Sequence, residues 1–259
     1  MSRPASQAEL SAASALFQKK FRKETGTFLA EGIHLITDLA RHPQWVEKVF
    51  WYPGEETSLP SWLKPFPESC IRLVTLRQLE KLTETGHPQP VVAIVRNPWA
   101  GYQLSQTGVK KILCLFNVQD PGNLGTLIRT AAWFGWDAVL LTPDCADWTS
   151  PKVIRSTAAS CFSIPVVNDD RELGLLNQLA LSHRIYRLEM DGSPIRSVSS
   201  QQDPLVLLVG NEAHGFRSML ASRIPETAIS IHISGKNPLI DSLNAGVAGA
   251  IAIYDFSGN

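Results

Sequence analysis

The stretch "NVQDPGNLGTLIRTAAWFGWDAVLLTP", residues 117–143, contains a turn, a helix-like run and a strand-like run in immediate succession. The turn-forming residues Asp120, Pro121, Gly122 and Asn123 predict the turn. The run that follows carries Arg129 beside apolar residues spaced as on one buried helix face, namely Leu124, Leu127, Ile128 and Ala131. "DAVLLTP" then has the continuous hydrophobicity of a strand covered on both faces. The apolar run "KKILCLFNV" before the turn predicts a second strand, and a helix between two such strands predicts a parallel α/β unit.

Comparable apolar runs continue through the C-terminal part of the chain. They are "KKILCLFNV", "FSIPVV", "RIYRLEM", "PLVLLVG" and "AISIHIS", with helical patterns between several of them. Alternation of this kind predicts an α/β fold over residues 109–259, with a mostly parallel sheet and helices on both faces. General rules of chain threading predict that this sheet is unknotted.

The first hundred residues have the pattern of a smaller α+β unit. Residues 28–40 show near-helical apolar spacing and predict a helix, and "LRQLEKLT" predicts a second, short one. "VEKVFWYPG", "SCIRLVT" and "PVVAIVRNP" predict strands. We therefore expect an N-terminal domain at 1–98, a linker at 99–108 and a C-terminal domain at 109–259.

Composition narrows the classes of function. Lys plus Arg and Asp plus Glu number 24 each, so a basic surface for nucleic acid has to be local. The four cysteines, Cys70, Cys114, Cys145 and Cys161, form no CxxC pair and have no metal-like spacing, which favours reduced thiols in a cytoplasmic protein without a metal site. No apolar run approaches the length of a membrane span, and no secretory signal is expected.

Three segments at predicted strand ends could carry chemistry, because ligands of α/β sheets bind beyond the carboxyl ends of strands. In the first, Arg129 alone is typical of a surface arginine beside a buried face. The second, "PLVLLVGNEAHGF", places Gly210 and Glu212 at a strand end, where a plain strand-to-loop turn is equally compatible. The third has "DSLN" before a helix rich in Gly and Ala, and Asp241 or Ser242 is expected to cap that helix.

Taken together and in this order, the three segments resemble the motifs of the SpoU (TrmH-like) RNA 2′-O-ribose methyltransferases of the SPOUT class. "NLGTLIRTAAWFG" resembles the first motif. "LLVGNEAHGF", which includes Gly215, resembles the second, and "SLN" with the small-residue helix after it resembles the third. "KKFRKETGTFLAEGIHLI", residues 19–36, is similar to the substrate-binding domain of this family, which has an L30e-like fold.

The resemblance implies an architecture and an activity. It implies a deep trefoil knot in the C-terminal domain, S-adenosylmethionine as methyl donor, and a homodimer whose active site draws on both subunits. The implied reaction is methyl transfer to a ribose 2′-hydroxyl of ribosomal or transfer RNA, since only RNA carries that hydroxyl. The first alternative is a non-catalytic RNA-binding relative. The second is a dinucleotide-dependent enzyme, but the sequence lacks the glycine fingerprint that such an enzyme requires.

The resemblance also assigns residues. The catalytic set is Asn123, Arg129, Glu212, Ser242 and Asn244. The set expected to hold the cofactor is Gly210, Ile231, Ile233 and Leu243, although plain strand packing also accounts for Ile231 and Ile233. A dense basic run comprises Lys19, Lys20, Arg22 and Lys23. These residues are expected to contact RNA phosphates; the alternative is that they form a solvated helix face without a ligand.

Two features qualify these assignments. Arginine has a pKa above about 12, so we expect Arg129 to clamp a phosphate and support the developing alkoxide rather than to act as base. The loop between Gly235 and Ser242 is longer than the family pattern, His232 stands where the family commonly has Pro, and Gly246 where it commonly has Ser. These differences bear on the exact cofactor contacts more than on the activity.

Overall fold

The computed structural model of the 259-residue chain describes residues 3–56, 58–104, 108–198, 204–211, 216, 219–235, 237, 239 and 242–258. Contacts divide the chain into two compact units. The N-terminal unit comprises residues 1–100 together with 149–162, and the C-terminal unit comprises 101–148 and 163–259. The predicted linker includes residues 105–107, outside the described part, and the domain bounds proposed from the sequence stay a prediction.

The N-terminal unit is a five-stranded mixed sheet with the order β1-β4-β3-β5-β2. Its strands are β1 (Arg3–Pro4), β2 (Thr27–Glu31), β3 (Val46–Trp51), β4 (Ile71–Leu73) and β5 (Val91–Arg96). Its helices are α1 (Gln7–Ala15), α2 (Lys19–Thr25), α3 (Ile33–Leu39), α4 (Leu76–Leu79) and α6 (Pro151–Thr157).

The prediction of one helix over residues 28–40 is wrong in its first part. Residues Thr27–Glu31 form β2, which is buried along its whole length and pairs antiparallel with β5, Leu29 lying opposite Ile94. Only Ile33–Leu39 is helical. Burial on both faces gives a strand the same continuous hydrophobicity as a buried helix, so the local pattern could not separate the two.

The C-terminal unit has a six-stranded sheet with the order β11-β9-β10-β6-β7-β8, and every described pairing in it is parallel. Its strands are β6 (Lys111–Leu115), β7 (Ala138–Leu141), β8 (Val166–Asn168), β9 (Arg184–Pro194), β10 (Leu205–Val209) and β11 (Ile229–His232). Its helices are α5 (Pro121–Trp133), α7 (Gly174–Leu179) and α8 (Ala245–Ser257). This arrangement confirms the predicted α/β fold.

Strand order explains how distant segments meet. Chain order reverses beside β6, because β7 lies on one side of it and β10 on the other. The carboxyl ends of β6, β10, β9 and β11 therefore share one edge of the sheet, as expected for parallel strands. All three candidate segments begin at this edge, which is where ligands of such sheets bind.

Candidate active site

Local sequence explains how α5 begins after β6. Asp120 caps the helix, and its carboxylate accepts a hydrogen bond of 2.8 Å from the Asn123 N–H. Pro121 occupies the first helical position, where no N–H is needed. The predicted apolar stripe is confirmed, since Leu124, Leu127, Ile128 and Ala131 are all buried, whereas Arg129 is exposed. Among the described residues, none forms a hydrogen bond or ion pair with the Arg129 guanidinium.

The first and third segments meet at the beginning of α8. A Cβ built on Gly246 would lie 2.7 Å from Asn123 Oδ1 and 3.1 Å from Asn244 Oδ1. These two side-chain amides, far apart in sequence, therefore converge on the first turn of α8. A side chain at position 246 would therefore displace the Asn123 amide.

The cap of α8 differs from the sequence-based expectation. Asn244 is the N-cap, and its Oδ1 accepts a hydrogen bond of 3.2 Å from the Val247 N–H. Ser242 is exposed and precedes the helix, and Asp241 lies outside the described residues. Asn caps a helix as well as Asp or Ser does, so Asn244 takes the role that was expected of Asp241 or Ser242.

An open groove of about 660 Å³ runs between α5 and α8. Asn123 and Asn244 lie at its polar end, and it continues along apolar side chains that include Phe134, Ile251 and Tyr254. The Phe134 and Tyr254 rings meet edge-on, 5.6 Å between centroids. The groove thus joins two predicted catalytic residues to an apolar helix surface.

The second segment is tied directly to the first. The side-chain amide of Asn211 donates a hydrogen bond of 2.9 Å to the carbonyl oxygen of Asn117, at the end of β6. Gly210 is buried immediately before it. Glu212 and Gly215 lie outside the described residues, so their predicted roles are not placed.

Residues expected to hold the cofactor occupy different environments. Ile231 is fully buried in β11, as the packing alternative required, and Ile233 is partly buried just beyond that strand. Leu243 is exposed next to Asn244. Gly210, Ile231 and Ile233 lie at or just beyond the carboxyl ends of β10 and β11.

Sequence reasoning missed a polar cluster at the same sheet edge. Arg187 Nη2 donates to Ser230 Oγ at 3.0 Å, and Ser230 Oγ donates to Glu189 Oε2 at 2.6 Å. Residues 188–192 of β9 have no partner on β11, because the register jumps from Arg187 opposite Ser230 to Ser193 opposite Ile231. His232 Nδ1 lies 3.0 Å from the Gly192 carbonyl oxygen across this interruption. The only signal was the turn-like pair Asp191-Gly192.

The buried cysteines of the chain do not supply a nucleophile. Burial raises the pKa of Cys114 well above its usual range, raises that of Cys145, and raises that of Cys161 to about 12. Because the thiolate is the reactive form, these thiols stay protonated near neutral pH. Among the described residues, no group of three His, Cys, Asp or Glu side chains could hold a metal, and no helix is long and apolar enough to cross a membrane.

The predicted basic run occupies α2 in the N-terminal unit. Lys19, Lys20 and Lys23 are exposed. Arg22 is buried, contrary to the expectation of a phosphate contact. Its Nη1 donates to the carbonyl oxygens of residues 16 and 17, both at 2.8 Å, and its Nε donates to Thr149 Oγ1 at 3.2 Å. Three cations of the run are therefore exposed to solvent, and the fourth forms hydrogen bonds inside the N-terminal unit.

Comparisons with known proteins agree with this geometry. Residues 110–254 match the profile of the SpoU rRNA Methylase family, and residues 9–93 match that of the MRM3-like substrate binding domain. The chain is 34% identical to the 23S rRNA (guanosine(2553)-2′-O)-methyltransferase RlmP of Bacillus subtilis, covering 94% of this chain and 93% of the relative. It is 26% identical to a 23S rRNA (uridine(2479)-2′-O)-methyltransferase of Streptomyces viridochromogenes, over 90% and 83% of the two chains.

Solved structures show the same fold. The AdoMet-bound rRNA methyltransferase of Sinorhizobium meliloti superimposes with a TM-score of 0.81 at 28% identity, covering 98% of this chain and 96% of that one. A TrmH-family protein of Porphyromonas gingivalis gives a TM-score of 0.80 at 22% identity over 97% and 98% of the chains. The resemblance identified from the three motifs is confirmed, and the chain belongs to the SpoU rRNA methylase family.

Proposed function

We propose that this chain transfers a methyl group from S-adenosylmethionine to a ribose 2′-hydroxyl of ribosomal RNA. The observation that carries the proposal is the convergence of Asn123 and Asn244 at Gly246, since it unites the first and third motifs of a methyltransferase family at one point. Two relatives named as 23S rRNA 2′-O-methyltransferases support ribosomal RNA over transfer RNA. Because one modifies a guanosine and the other a uridine, they do not indicate a nucleotide.

The sheet edge fits the proposed cofactor. An adenine needs apolar surface on its faces and backbone groups at its edge, and Gly210, Ile233 and Leu243 offer this combination. When bound, S-adenosylmethionine supplies a methyl group that is already electrophilic on its sulfonium. The chain therefore has to orient the acceptor hydroxyl and help it lose a proton.

Arg129 is proposed to position the acceptor. Its exposed guanidinium has the geometry for a bidentate contact to the phosphate beside the target ribose. A positive group at this place also stabilises the alkoxide that develops as the hydroxyl loses its proton. Holding the reactants in line can contribute roughly 7–11 kcal/mol to lowering the barrier. Asn123 and Asn244 are proposed to hold the substrate at the groove, with Ser242 beside them and Glu212 orienting Arg129 or Asn244.

The groove between α5 and α8 is proposed to receive a second copy of the chain. Val247 and Tyr254 expose about half of their surface there, at 50% and 48%. Exposed apolar side chains clustered along one helix are typical of subunit interfaces. The proposal includes a homodimer with both subunits contributing to each site, the deep knot that the family implies, and a cytoplasmic location among the RNA it modifies.

The activity is tested by transfer of labelled methyl from S-adenosylmethionine to in-vitro-transcribed 23S rRNA, with the DNA of the same sequence as a control. Arg129→Ala should abolish transfer while calorimetry still detects cofactor binding. Arg171→Ala changes an arginine that is 77% exposed elsewhere on the same unit and should have no effect. Unchanged turnover of Arg129→Ala would exclude the proposed role. RNA binding by the wild type without any transfer would favour a non-catalytic relative.

The exposed lysines of α2 are proposed to bind RNA phosphates. Replacing Lys19, Lys20 and Lys23 together by Gln should weaken RNA binding and lower the slope of log K against log salt by about 2 to 3. Arg22 is left unchanged in this variant because its contacts lie inside the unit. An unaltered salt slope would show that the three lysines form a solvated helix face.

A further inference from the structure

Trp133, the last residue of α5, is 80% exposed. Tryptophan usually buries most of its large apolar surface, so an indole left in solvent on a rigid helix is unusual. Among the described residues, no ring contact involves Trp133. The described part of the C-terminal unit therefore offers no ring contact that would explain why an exposed tryptophan stands at this position.

Trp133 lies on the same helix as Arg129. The two residues are four apart on one helix, which places their side chains as neighbours on the same face, about 6 Å apart along the axis. Both are exposed, and the buried stripe of α5 faces the opposite side. The helix thus presents a guanidinium and an indole side by side to whatever approaches this face.

We propose that Trp133 stacks on an unpaired nucleobase of the RNA whose phosphate Arg129 binds. This inference rests on the proposed function and adds a positioning residue to it. Proteins recognise single-stranded RNA by stacking bases on aromatic side chains while cations hold the backbone. Because every base has a stackable face, Trp133 would hold the target segment in place without specifying its sequence.

Contact with the second subunit is the competing explanation for an exposed indole. The groove that would receive that subunit is lined by Thr126, Thr130 and Phe134 of α5, and Trp133 is not among its lining residues. Phe134 also packs against Tyr254 across the groove, whereas Trp133 has no such partner in the described part of the chain. Trp133 is therefore outside the lining of the groove and lies four residues from Arg129 on α5.

Steady-state kinetics on in-vitro-transcribed 23S rRNA test the proposal. Trp133→Ala should raise the KM for RNA by about 5- to 140-fold, the range that corresponds to the stacking of one base, and leave the KM for S-adenosylmethionine unchanged. Trp133→Phe should recover most of the loss. Leu181→Ala removes an 88% exposed apolar side chain elsewhere on the unit and should change neither constant. An unchanged KM for RNA in Trp133→Ala overturns the proposal.

Binding of two short oligomers identifies stacking as the cause. The wild type should bind a mixed-sequence single-stranded RNA more tightly than an abasic ribose-phosphate oligomer of equal length, and Trp133→Ala should reduce this preference. Sedimentation should show the same oligomeric state for both proteins, and dissociation of the variant would assign Trp133 to the subunit contact and overturn the proposal. Absence of methyl transfer by the wild type would refute the proposed function instead, while the base preference would still be measured.

Discussion

Gly249 determines how closely α8 packs against α5 and β10. A Cβ built at this position would collide with Leu127 Cδ2 and lie 3.3 Å from Val209 Cγ1. Leu127 and Val209 are both buried, so neither can move freely into solvent. Gly249→Ala therefore has to displace Leu127 or move α8.

The size of the effect follows from two opposing contributions. Alanine in a helix interior is favoured over glycine by about 1 kcal/mol. Overpacking a buried contact costs about 1–3 kcal/mol. We therefore expect Gly249→Ala to lower the free energy of unfolding by about 0–2 kcal/mol. Leu127→Ala alone should lower it by about 2–5 kcal/mol through the cavity that it leaves.

The two changes should be strongly coupled. Once Leu127 is truncated, the collision disappears and the helix preference of alanine remains, so the double variant should be more stable than Leu127→Ala. The expected interaction energy in the double-mutant cycle is about 1–3 kcal/mol in the favourable direction. Urea unfolding of the four proteins, followed by circular dichroism, measures it.

Gly108→Ala is the matched control, since a Cβ there would meet nothing within 4 Å. It should be neutral or slightly stabilising. Additive effects of Gly249→Ala and Leu127→Ala, within about 0.5 kcal/mol, would refute the described packing of α8 on α5.

Three further predictions concern the N-terminal unit. Arg22→Ala should destabilise it by about 1–3 kcal/mol for each carbonyl oxygen left without its hydrogen bond, whereas Lys20→Ala should not change the unfolding midpoint in urea. Ala158 follows α6 in the left-handed conformation, at φ 46°, so Ala158→Gly should raise the free energy of unfolding by about 1 kcal/mol. The control Ala12→Gly, inside α1, should lower it by a similar amount. A thermal scan in which Ala158→Gly unfolds no later than wild type would contradict the strain at Ala158. Burial raises the pKa of Glu9, but hydrogen bonds from the Ser6 N–H and from Arg72 outweigh it and lower that pKa to about 2. The ionised carboxylate therefore stabilises the fold above about pH 4.5, and the difference between wild type and Glu9→Gln should vanish as the pH falls towards 2; a difference independent of pH would contradict this.

Much of the fold follows from short-range pattern. Strands β6, β7 and β10 coincide with continuous apolar runs of the sequence, because strands buried on both faces must be apolar throughout. Strand β2 was predicted as helix, because a short apolar run is compatible with both a buried strand and a buried helix. The interruption in β9 was not predicted either, since "RIYRLEM" continues a strand pattern and the pair Asp191-Gly192 is the one sign in the sequence that the register shifts.

The candidate site was predictable only through resemblance. Arg129 and Asn123 look ordinary within their helix, and no local pattern shows that Asn123 meets Asn244 across the sheet edge. Arg22 was misassigned because charge predicts solvent exposure, and only tertiary structure revealed the carbonyl groups that it binds. Sequence composition thus locates charges but does not show which of them are used internally.

The segment 149–162 gives the chain an unusual modular organisation. It lies in the middle of the sequence that matches the methylase family, yet α6 packs on β2 and belongs by its contacts to the N-terminal unit. Arg155 within it pairs with Glu31, and the Trp99 indole donates a hydrogen bond of 2.8 Å to the Cys161 carbonyl oxygen. The polypeptide therefore passes from one unit to the other three times. A fragment ending at residue 100 would lose a helix that covers β2, and moving the N-terminal unit of this chain onto another protein has to carry residues 149–162 with it.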